Sequence, residues 1–394
     1  MFIVAKIASI LEGIMEIKRD LYLDKLIARK HNGLIKVVTG IRRCGKSYLL
    51  NTLFYSHLKA SGVPDDHIVK FAFDSADDLL MIGENLIKLE KSKKRVDPEK
   101  FMAYIRSKVV DNQMHYLLLD EVQLLDCFEA VLNGYLRKEN MDVYVTGSNA
   151  KFLSKDIITE FAGRGDEIHM YPLSFAEFMT AYSGDKYAGL SEYMLYGGIP
   201  LVVLRNGANE KSTALQSLFD EIYIRDIEKR NKIRNTGELE DLLNILSSSI
   251  GSLTNPEKLS NTFKTVKKSK ITATTIRKYL GYLEDSFLIE STQRYDIKGR
   301  NYIETPRKYY FSDLGLRNAR INFRQFEQTH SMENVIYNEL RMRGYNVDVG
   351  VVPVAERDAN GKIVRKQLEV DFVCNMGSLR YYIQSAYCLL YTSD

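Results

Sequence analysis

The feature that most constrains this sequence is a glycine-rich loop at residues 40–47, which reads G-I-R-R-C-G-K-S. Before it, the apolar stretch from Leu34 to Val38 predicts a buried strand, and after it Tyr48 and two leucines predict the first turn of a helix. A G-x-x-x-x-G-K-S loop between a strand and a helix is the phosphate-binding P-loop. A glycine loop that arose by chance would lack these flanking elements.

Each position of this loop has a predicted role. Glycines let the backbone turn so that successive N–H groups face bound phosphates. We expect Lys46 to interact with the β- and γ-phosphate oxygens of ATP and to act in catalysis, and the Ser47 hydroxyl to bind Mg²⁺. The residues predicted to bind the nucleotide are Gly40, Arg42, Arg43, Cys44, Gly45, Lys46, Ser47 and Tyr48.

Length and composition narrow the class of protein. The 394 residues are enough for about two or three domains, and 27% charged and 45% hydrophobic residues are typical of a globular chain. The net charge of +4 is too small to indicate nucleic-acid binding without a local basic patch. The scattered cysteines indicate a reducing compartment and neither disulfides nor a zinc site: Cys44, Cys127, Cys374 and Cys388.

The chain contains no apolar run long enough for a membrane span, which predicts a soluble cytoplasmic protein without membrane contact. Residues 1–11 are apolar but too short to cross a membrane, and they lack a convincing signal-cleavage site. A second interpretation starts translation at Met15, which would make residues 1–14 a non-native extension. Residues 15–31 then predict an amphipathic helix with Leu21 on its apolar side and Arg19 on its charged side.

The stretch from His115 to Glu121 is an apolar run that ends in two acids. In a parallel sheet, the carboxylates that follow a buried strand emerge at the carboxyl edge, beside the P-loop. Asp120 is therefore predicted to hold Mg²⁺, and Glu121 to activate the water that attacks the γ-phosphate. An apolar run before two acids also occurs at helix caps. Its position about seventy residues after the P-loop favours the interpretation as a metal-binding and catalytic pair.

A third buried strand begins at Asp142 and ends in polar residues. Thr146, Ser148 or Asn149 could contact the γ-phosphate or the attacking water, and Asn149 is our catalytic candidate; a turn that caps the next helix explains the pattern equally well. Arg164 lies between two glycines and could stabilise charge in the transition state, or form a salt bridge within its loop. Residues 168–173 predict the last strand. The alternation of strands and helices over 34–173 predicts a P-loop NTPase sheet, parallel, with helices on both faces.

The rest of the chain predicts two further kinds of unit. Residues 176–238 suggest a helical lid or linker. Residues 239–328 have three helices and a β-hairpin, the order of a winged helix, and the basic residues within 258–300 are a candidate surface for duplex DNA, although many such units bind only proteins. The basic residues on which this prediction rests are Lys264, Lys267, Lys268, Lys270, Arg277, Lys278, Lys298 and Arg300.

Residues 329–387 predict an α/β unit with the order of a restriction-type nuclease core, in which acids bind Mg²⁺. Such a site needs Glu-x-Lys on its last strand, whereas this sequence has Gln384-Ser385-Ala386. One metal ligand and the group that would activate water are both missing. A degenerate, inactive scaffold is therefore expected.

These motifs together resemble a known group, the prokaryotic AAA-type ATPases with a C-terminal domain of unknown function that is similar to a degenerate nuclease. The more specific matches are Arg42-Arg43 inside the P-loop, Tyr196-Gly197-Gly198-Ile199-Pro200, and Glu369-Val370-Asp371-Phe372. The resemblance spans about residues 15–387. It implies an AAA core at 15–175, binding of ATP with Mg²⁺, and a phosphate-sensing role for Arg164 within its own chain or on a neighbouring copy of an oligomer.

The end of the chain departs from this resemblance. Residues 388–394 look like the translation of a sequencing adapter, so we expect a tail of artificial origin and a truncated last domain. Three functions remain open: an ATPase switch acting on DNA or an unknown protein partner, an ATP-dependent nucleic-acid-processing enzyme with a C-terminal nuclease, and a nucleotide-gated binding module with little turnover. The intact Lys46, Asp120 and Glu121 favour the first.

Overall fold

The computed structural model describes residues 17–147, 163–324, 327–357 and 363–386. The predicted extension at 1–14, the predicted tail at 388–394, Ser148 and the catalytic candidate Asn149 lie outside these residues. The chain divides into two compact units. The first comprises the residues up to Met170 and Met179–Ser183, and the second comprises Tyr171–Phe178 and the residues from Gly184 onwards.

The first unit alternates strands and helices, as the sequence predicts. The P-loop is followed by a short helix that continues as a π-helical segment, Leu49–Phe54, and then as α3. The elements in chain order are α1 Asp20–Ala28, β1 Ile35–Thr39, α2 Lys46–Tyr48, α3 Tyr55–Ala60, β2 Ile68–Ala72, α4 Ala76–Met81, α5 Leu86–Ser92, α6 Pro98–Lys108, β3 His115–Asp120, α7 Phe128–Leu136, β4 Met141–Thr146 and β5 Gly165–His169.

The five strands form one parallel sheet in the order β2-β3-β4-β1-β5. Every residue of β1, β3 and β4 is buried, because helices cover both faces. On one face, side chains such as Val37 and Leu117 share a core with Phe101 of α6 and Phe128 of α7. On the other face, Tyr144 packs against Phe54, with 4.5 Å between the ring centres. The predicted P-loop NTPase sheet is confirmed.

Two details of this unit differ from the sequence analysis. Arg19, predicted on the charged side of the first helix, is only 2% exposed, whereas Leu21, predicted on the apolar side, is 43% exposed. The burial of Arg19 follows from a tertiary contact described below. The last strand is β5, which begins three residues earlier than predicted and ends at His169. Because the residues of this edge strand are polar and partly exposed, a hydrophobicity pattern does not reveal it.

The second unit is helical at first and then contains a second sheet. A π-helical segment, Leu218–Ile224, joins α11 to α12. The elements, with α8 at the junction of the two units, are α8 Phe175–Thr180, α9 Lys186–Tyr196, α10 Pro200–Val203, α11 Ala208–Ser217, α12 Arg225–Asn231, α13 Thr236–Ser248, β6 Leu253–Thr254, α14 Pro256–Val266, α15 Ala273–Asp285, β7 Ile289–Asp296, β8 Asn301–Phe311, α16 Leu314–Arg320, α17 Gln328–Met342, β9 Asn346–Arg357, β10 Ile363–Met376 and β11 Leu379–Ile383.

The six strands of this sheet lie in the order β11-β10-β9-β7-β8-β6. All neighbouring pairs are antiparallel except β7 and β9. That parallel pair joins the strands of the predicted winged-helix region to those of the predicted nuclease-like region. The finer boundary at 328 therefore divides one continuous sheet, and the boundary at 238 falls within α13. Both stay predictions.

The Y-G-G-I-P motif at 196–200 has a clear packing role. Gly198 donates its N–H to the Asp313 carboxylate at 2.7 Å. Gly197 has a φ of 74°, and a Cβ there would lie 2.2 Å from Asp313 Oδ1. Burial raises the pKa of Asp313 to about 6, although several backbone N–H groups oppose the rise. The glycines are thus required for the backbone to approach this buried acid.

Within the residues that the structure describes, none of the helices combines the length and apolar character that crossing a membrane requires.

Candidate nucleotide-binding site

The P-loop connects β1 to α2 and has the backbone that its glycines predict. Gly40 and Gly45 have φ values of 138° and 102°. At Gly40 there is also no room for a side chain, because a Cβ would lie 2.1 Å from the backbone oxygen of Met170. The neighbouring strand β5 thus fixes where the loop starts, since Met170 donates its N–H to the Thr39 carbonyl at 2.9 Å.

Lys46 lies inside the loop. Its side chain is 5% exposed, and its ammonium donates to the carbonyl oxygens of Gly40 at 3.0 Å and Ile41 at 3.1 Å. An ammonium held in this way is a fixed positive charge next to the backbone N–H groups of the loop. This is the electrostatic environment that a bound phosphate requires.

The carboxyl ends of β3 and β4 bring the predicted acids to the loop. The Thr146 hydroxyl donates to the Asp120 carboxylate and accepts the Glu121 N–H at 3.1 Å. The Ser47 side chain also lies close enough to the Asp120 carboxylate to affect its pKa. Burial raises the pKa of Asp120, as does the charge of Glu121, whereas the side chains of Ser47 and Thr146 and the charge of Lys46 act against the rise. The two predicted metal ligands, Ser47 and Asp120, are therefore in contact.

Glu121 has an unusual backbone conformation. Its φ is 53°, in the left-handed region that a residue with a side chain rarely adopts. Gln123 donates its side-chain amide to the Glu121 carboxylate, and Thr146 holds the Glu121 N–H. Such strain is maintained only where the surroundings fix it, and it is common at functional sites.

Asp74 is a member of this site that the sequence analysis did not identify. Phe73 donates its N–H to the backbone oxygen of Asp120 at 3.0 Å, which sets Asp74 beside the two acids at the end of β3. Partial burial and the charges of Asp120 and Glu121 raise the pKa of Asp74, and Arg42 lowers it. The Asp74 side chain is exposed overall. The position of Asp74 just after the predicted strand β2 is the sequence feature that could have identified it.

Arg19 is the second unpredicted residue. Its Nη1 donates to the backbone carbonyl of Cys44 at 2.9 Å, and its guanidinium lies 4.8 Å from the ring centre of Tyr22. Cys44 itself is fully buried. Arg19 thus connects the start of α1 to the P-loop, a contact that hydrophobic periodicity cannot reveal.

The remaining loop candidates differ in position. Arg42 is half-buried and close enough to Asp74 to affect its pKa. Arg43 is exposed with a φ of 65°, and Tyr48 is 37% exposed at the start of the helix.

Arg164 lies at the other edge of the sheet. Its backbone oxygen accepts the N–H of Ile35 at 2.9 Å, at the start of β1, and its side chain is exposed. The P-loop follows the end of β1, so the five residues of that strand separate the two positions by about 16 Å. The structure does not bring Arg164 to the P-loop of its own chain.

A group of possible metal ligands, His67, Asp111 and His115, lies at the start of β3. The nitrogens of His67 contact carboxylates, Asp66 at 2.8 Å and Asp111 at 3.1 Å. The nitrogens of His115 contact the Gln113 carbonyl at 2.8 Å and the Val110 N–H at 3.3 Å. Since all four ring nitrogens have hydrogen-bond partners, the group is a hydrogen-bonded network.

Acids of the predicted nuclease-like region also have hydrogen-bond or ion-pair partners within the protein. Asp371 accepts hydrogen bonds from the Gln384 amide at 2.9 Å and the Ser385 N–H at 2.8 Å. Lys308, 4% exposed, donates to Glu333 at 2.9 Å and Glu369 at 2.7 Å.

Two protein-family models match parts of this chain. A family model described as "AAA domain" matches residues 32–179, and one described as "Domain of unknown function (DUF8612)" matches residues 187–327. An uncharacterized protein of Haemophilus influenzae is 36% identical over 365 residues, which cover 91% of this chain and 86% of that protein. An uncharacterized protein of Methanocaldococcus jannaschii is 28% identical, with 94% and 77% covered.

Among solved structures, the ORC2 protein of Aeropyrum pernix in ADPNP–ADP complexes is similar, with 12% identity and a TM-score of 0.43 over 77% of this chain and 90% of that one. The ORC1 protein of the same organism in complex with DNA has 12% identity and a TM-score of 0.31 over 78% and 93%.

Proposed function

Because the chain belongs to the AAA-type P-loop ATPases with a C-terminal domain of unknown function, we propose that it hydrolyses ATP with Mg²⁺ and that hydrolysis drives a conformational switch acting on a DNA or protein partner. The observation that carries the proposal is the meeting of Ser47, Asp120, Glu121 and Thr146 beside the P-loop. Phosphoryl transfer to water needs such an arrangement of phosphate-binding, metal-binding and water-orienting groups.

Lys46 and the backbone of the P-loop bind the phosphates in this proposal. The Lys46 ammonium is already held by the carbonyls of Gly40 and Ile41, so little side-chain freedom is lost on binding. The backbone of Arg42, Arg43, Cys44 and Gly45 completes the loop. Tyr48 lies in the first turn of the helix that begins at Lys46, and the N-terminal end of this helix faces the phosphates.

Ser47 and Asp120 would hold the metal ion. A hydroxyl and a carboxylate in contact are oxygen ligands of the kind Mg²⁺ prefers, so the residues fit the ion. When bound, the ion would neutralise charge on the phosphate oxygens.

Glu121 would take the proton of the attacking water. Thr146 and Gln123 hold it from two sides, which fixes the direction of its carboxylate before substrate binds. A base positioned in this way contributes about 10² to 10⁴ in rate. Asn149 remains our candidate for orienting the same water.

Arg164 would act on a neighbouring copy of the chain. It lies at the edge of the sheet opposite the P-loop, and its side chain is exposed to solvent. A guanidinium supplied by a neighbour can stabilise the charge of the transition state. This role requires an oligomer.

The region 239–311 would contact the partner. Its order α13-β6-α14-α15-β7-β8, with β8 between β6 and β7, supports the winged-helix interpretation. The basic residues of 258–300 are exposed, although Arg277 is ion-paired with Glu257 and Lys267 with Asp241 at 2.9 Å. Because the other basic side chains of this region are also exposed, duplex DNA remains a candidate partner.

Nuclease activity is not part of the proposal. Gln384 offers an amide where that chemistry needs a carboxylate, and its amide holds Asp371. The buried Lys308 is engaged by Glu333 and Glu369.

The test measures ATP affinity and phosphate release for the wild type, Lys46→Ala and Lys59→Ala, with and without Mg²⁺. Lys59 is the matched control, because it lies on α3 and pairs with Asp65 at 3.0 Å. We expect Mg²⁺-dependent turnover in the wild type and in Lys59→Ala, and about 100-fold weaker binding in Lys46→Ala. Unchanged ATP affinity in Lys46→Ala would refute the site, and binding without turnover in the wild type would favour a nucleotide-gated binding module.

A further inference from the structure

A polar cleft of about 600 Å³ opens in the second sheet, away from the residues considered so far. Its walls come from β7, β8, α17, β9 and the β10–β11 hairpin. Three arginines line it: Arg307, Arg341 and Arg380. We call it the arginine cleft.

The fold creates this cleft through two local features. Thr292 on β7 pairs with Lys308 on β8, but two residues later Arg294 pairs with Ile303. The extra residues of β8 form a bulge that ends at Arg307. On the opposite wall, the tight turn at Gly377, with a φ of 58°, reverses the chain so that Arg380 follows at the start of β11.

Two of the arginines direct their charge to neutral partners. Arg307 donates to the backbone oxygen of Glu304 at 3.1 Å and to the Ser291 hydroxyl at 3.5 Å. Arg380 donates to the Asn375 side-chain oxygen at 2.7 Å. Guanidinium groups that are positioned by neutral groups keep their charge for an anion.

Carboxyl groups near the cleft balance the formal charge of its arginines. Arg341 is paired with Glu290 at 3.1 Å, which leaves Asp348 as the acid that lines the walls. Asp348 accepts a hydrogen bond from the Tyr302 hydroxyl at 3.2 Å. A third carboxyl, that of Glu284, acts on Arg307 through its charge, so three guanidinium groups face three carboxyl groups. An anion would therefore meet Arg307 and Arg380, whose hydrogen bonds go to neutral oxygens.

Aromatic rings lie at the edges of the same cleft. Tyr302 is 56% exposed and lies 5.3 Å from Tyr295, measured between ring centres, and the Arg380 guanidinium lies 5.7 Å from the Tyr295 ring. Tyr381 and Tyr382, next to Arg380, are also about half exposed. Exposed rings beside arginines are the combination that binds single strands, because an unpaired base can stack on a ring while a phosphate meets a guanidinium.

We propose that the arginine cleft binds single-stranded nucleic acid, with one backbone phosphate at Arg307, another at Arg380 and a base stacked on Tyr302. None of the basic residues predicted to bind duplex DNA lines this cleft. It does not depend on ATP hydrolysis, so its failure would leave the proposed ATPase untouched.

The experiment measures the fluorescence anisotropy of a labelled 15-nucleotide oligo(dT) with the full chain, without ATP, over a series of salt concentrations. The test variant is Arg307→Ala/Arg380→Ala. The charge-matched control is Arg343→Ala/Lys366→Ala, which removes exposed cations paired with Glu339 and Glu356 outside the cleft. We expect at least tenfold weaker binding in the test variant and a salt slope smaller by about 1.4, which corresponds to two lost phosphate contacts.

Tyr302→Ala provides a second, independent measurement. It removes the stacking surface without changing charge, so we expect about tenfold weaker binding at an unchanged salt slope. ATP affinity of every variant reports whether the chain is folded. No binding by the wild type at low salt, equal losses in test and control variants, or wild-type affinity in Arg307→Ala/Arg380→Ala would overturn the proposal. Arginine-dependent binding of labelled AMP but not of the oligonucleotide would also overturn it, since the cleft would then be a mononucleotide site.

Discussion

Arg19 donates a hydrogen bond from Nη1 to the backbone carbonyl of Cys44 at 2.9 Å, so a helix that precedes the first strand holds the P-loop from behind. Arg19 is 2% exposed and Cys44 is fully buried. A buried carbonyl without a donor is costly, which makes the geometry of the loop dependent on a residue outside its motif.

We therefore expect Arg19→Ala to weaken ATP binding several-fold and to lower the free energy of unfolding by about 1 to 3 kcal/mol. Titration with a fluorescent ATP analogue and urea denaturation measure the two effects. Arg29→Ala is the matched control on the same helix, because Arg29 is partly exposed and pairs with Asp166. Equal ATP affinity in Arg19→Ala and the wild type would mean that the loop keeps its shape without this bond.

The sequence predicts the core of the site because a parallel sheet collects its strand ends at one edge. Ser47, Asp120 and Thr146 each follow an apolar strand, and their meeting requires only the correct strand order. Arg19 and Asp74 could not be predicted in the same way. Arg19 has the charge of a surface residue, yet it is buried where it donates to the P-loop carbonyl, and Asp74 gains its place from the pairing of β2 with β3.

The second sheet was harder to predict for a related reason. Strand β6 has two residues, too few to form a periodic pattern, yet it pairs with β8. The parallel pairing of β7 with β9 joins segments about fifty residues apart, and a local sequence pattern cannot indicate such a pairing. The β-hairpin and the three preceding helices, in contrast, depend on local periodicity and turns, and they were predicted in the correct order.

Glu121→Gln should retain ATP binding and lose hydrolysis. The amide keeps the size of the side chain but cannot accept a proton from water, so we expect kcat to fall by about 10² to 10⁴ with little change in ATP affinity. Phosphate release and equilibrium binding are the measurements. Gln123→Ala, which removes only the bond that orients Glu121, should lower kcat less. Normal turnover in Glu121→Gln would exclude Glu121 as the base.

The Arg164→Ala variant should lose ATP turnover and should regain part of it when it is mixed with the Glu121→Gln variant. If Arg164 serves a neighbouring copy, its removal costs about 10³ in kcat while ATP binding persists. Mixing Arg164→Ala with Glu121→Gln then creates interfaces at which an intact Arg164 faces an intact Glu121, so the mixture should exceed both separate proteins in phosphate release. Arg137→Ala, another exposed arginine of this unit, is the control. A mixture no more active than its parts, with oligomers present, would argue against this role.

His67 should make stability depend on pH. Hydrogen bonds that His67 donates to the carboxylates of Asp66 and Asp111 raise the pKa of His67 above its ordinary 6.5, although burial acts against the rise. The folded state therefore binds the proton more tightly than the unfolded state. The contribution is complete below pH 6.5 and is lost as pH rises through the folded-state pKa.

Urea denaturation between pH 6 and pH 8 should thus show a decreasing free energy of unfolding, and His67→Asn should flatten the decrease. His57→Asn is an informative control, because burial and then Lys30 lower the pKa of His57, so its removal should affect the profile in the opposite direction. Identical pH profiles for the wild type and His67→Asn would refute the prediction.

The proposal that the protein acts on DNA is tested by measuring duplex DNA binding through the basic residues of 258–300. Each lysine that contacts a phosphate releases counterions, so the logarithm of affinity should fall linearly with the logarithm of salt concentration. Replacing the exposed Lys268 and Lys278 by alanine should reduce that slope by about 1.8. Replacing Lys267 and Arg277 should reduce it less, because Asp241 and Glu257 already neutralise these two charges. A slope that is flat in the wild type, or no binding at low salt, would leave a protein partner as the expectation for this region.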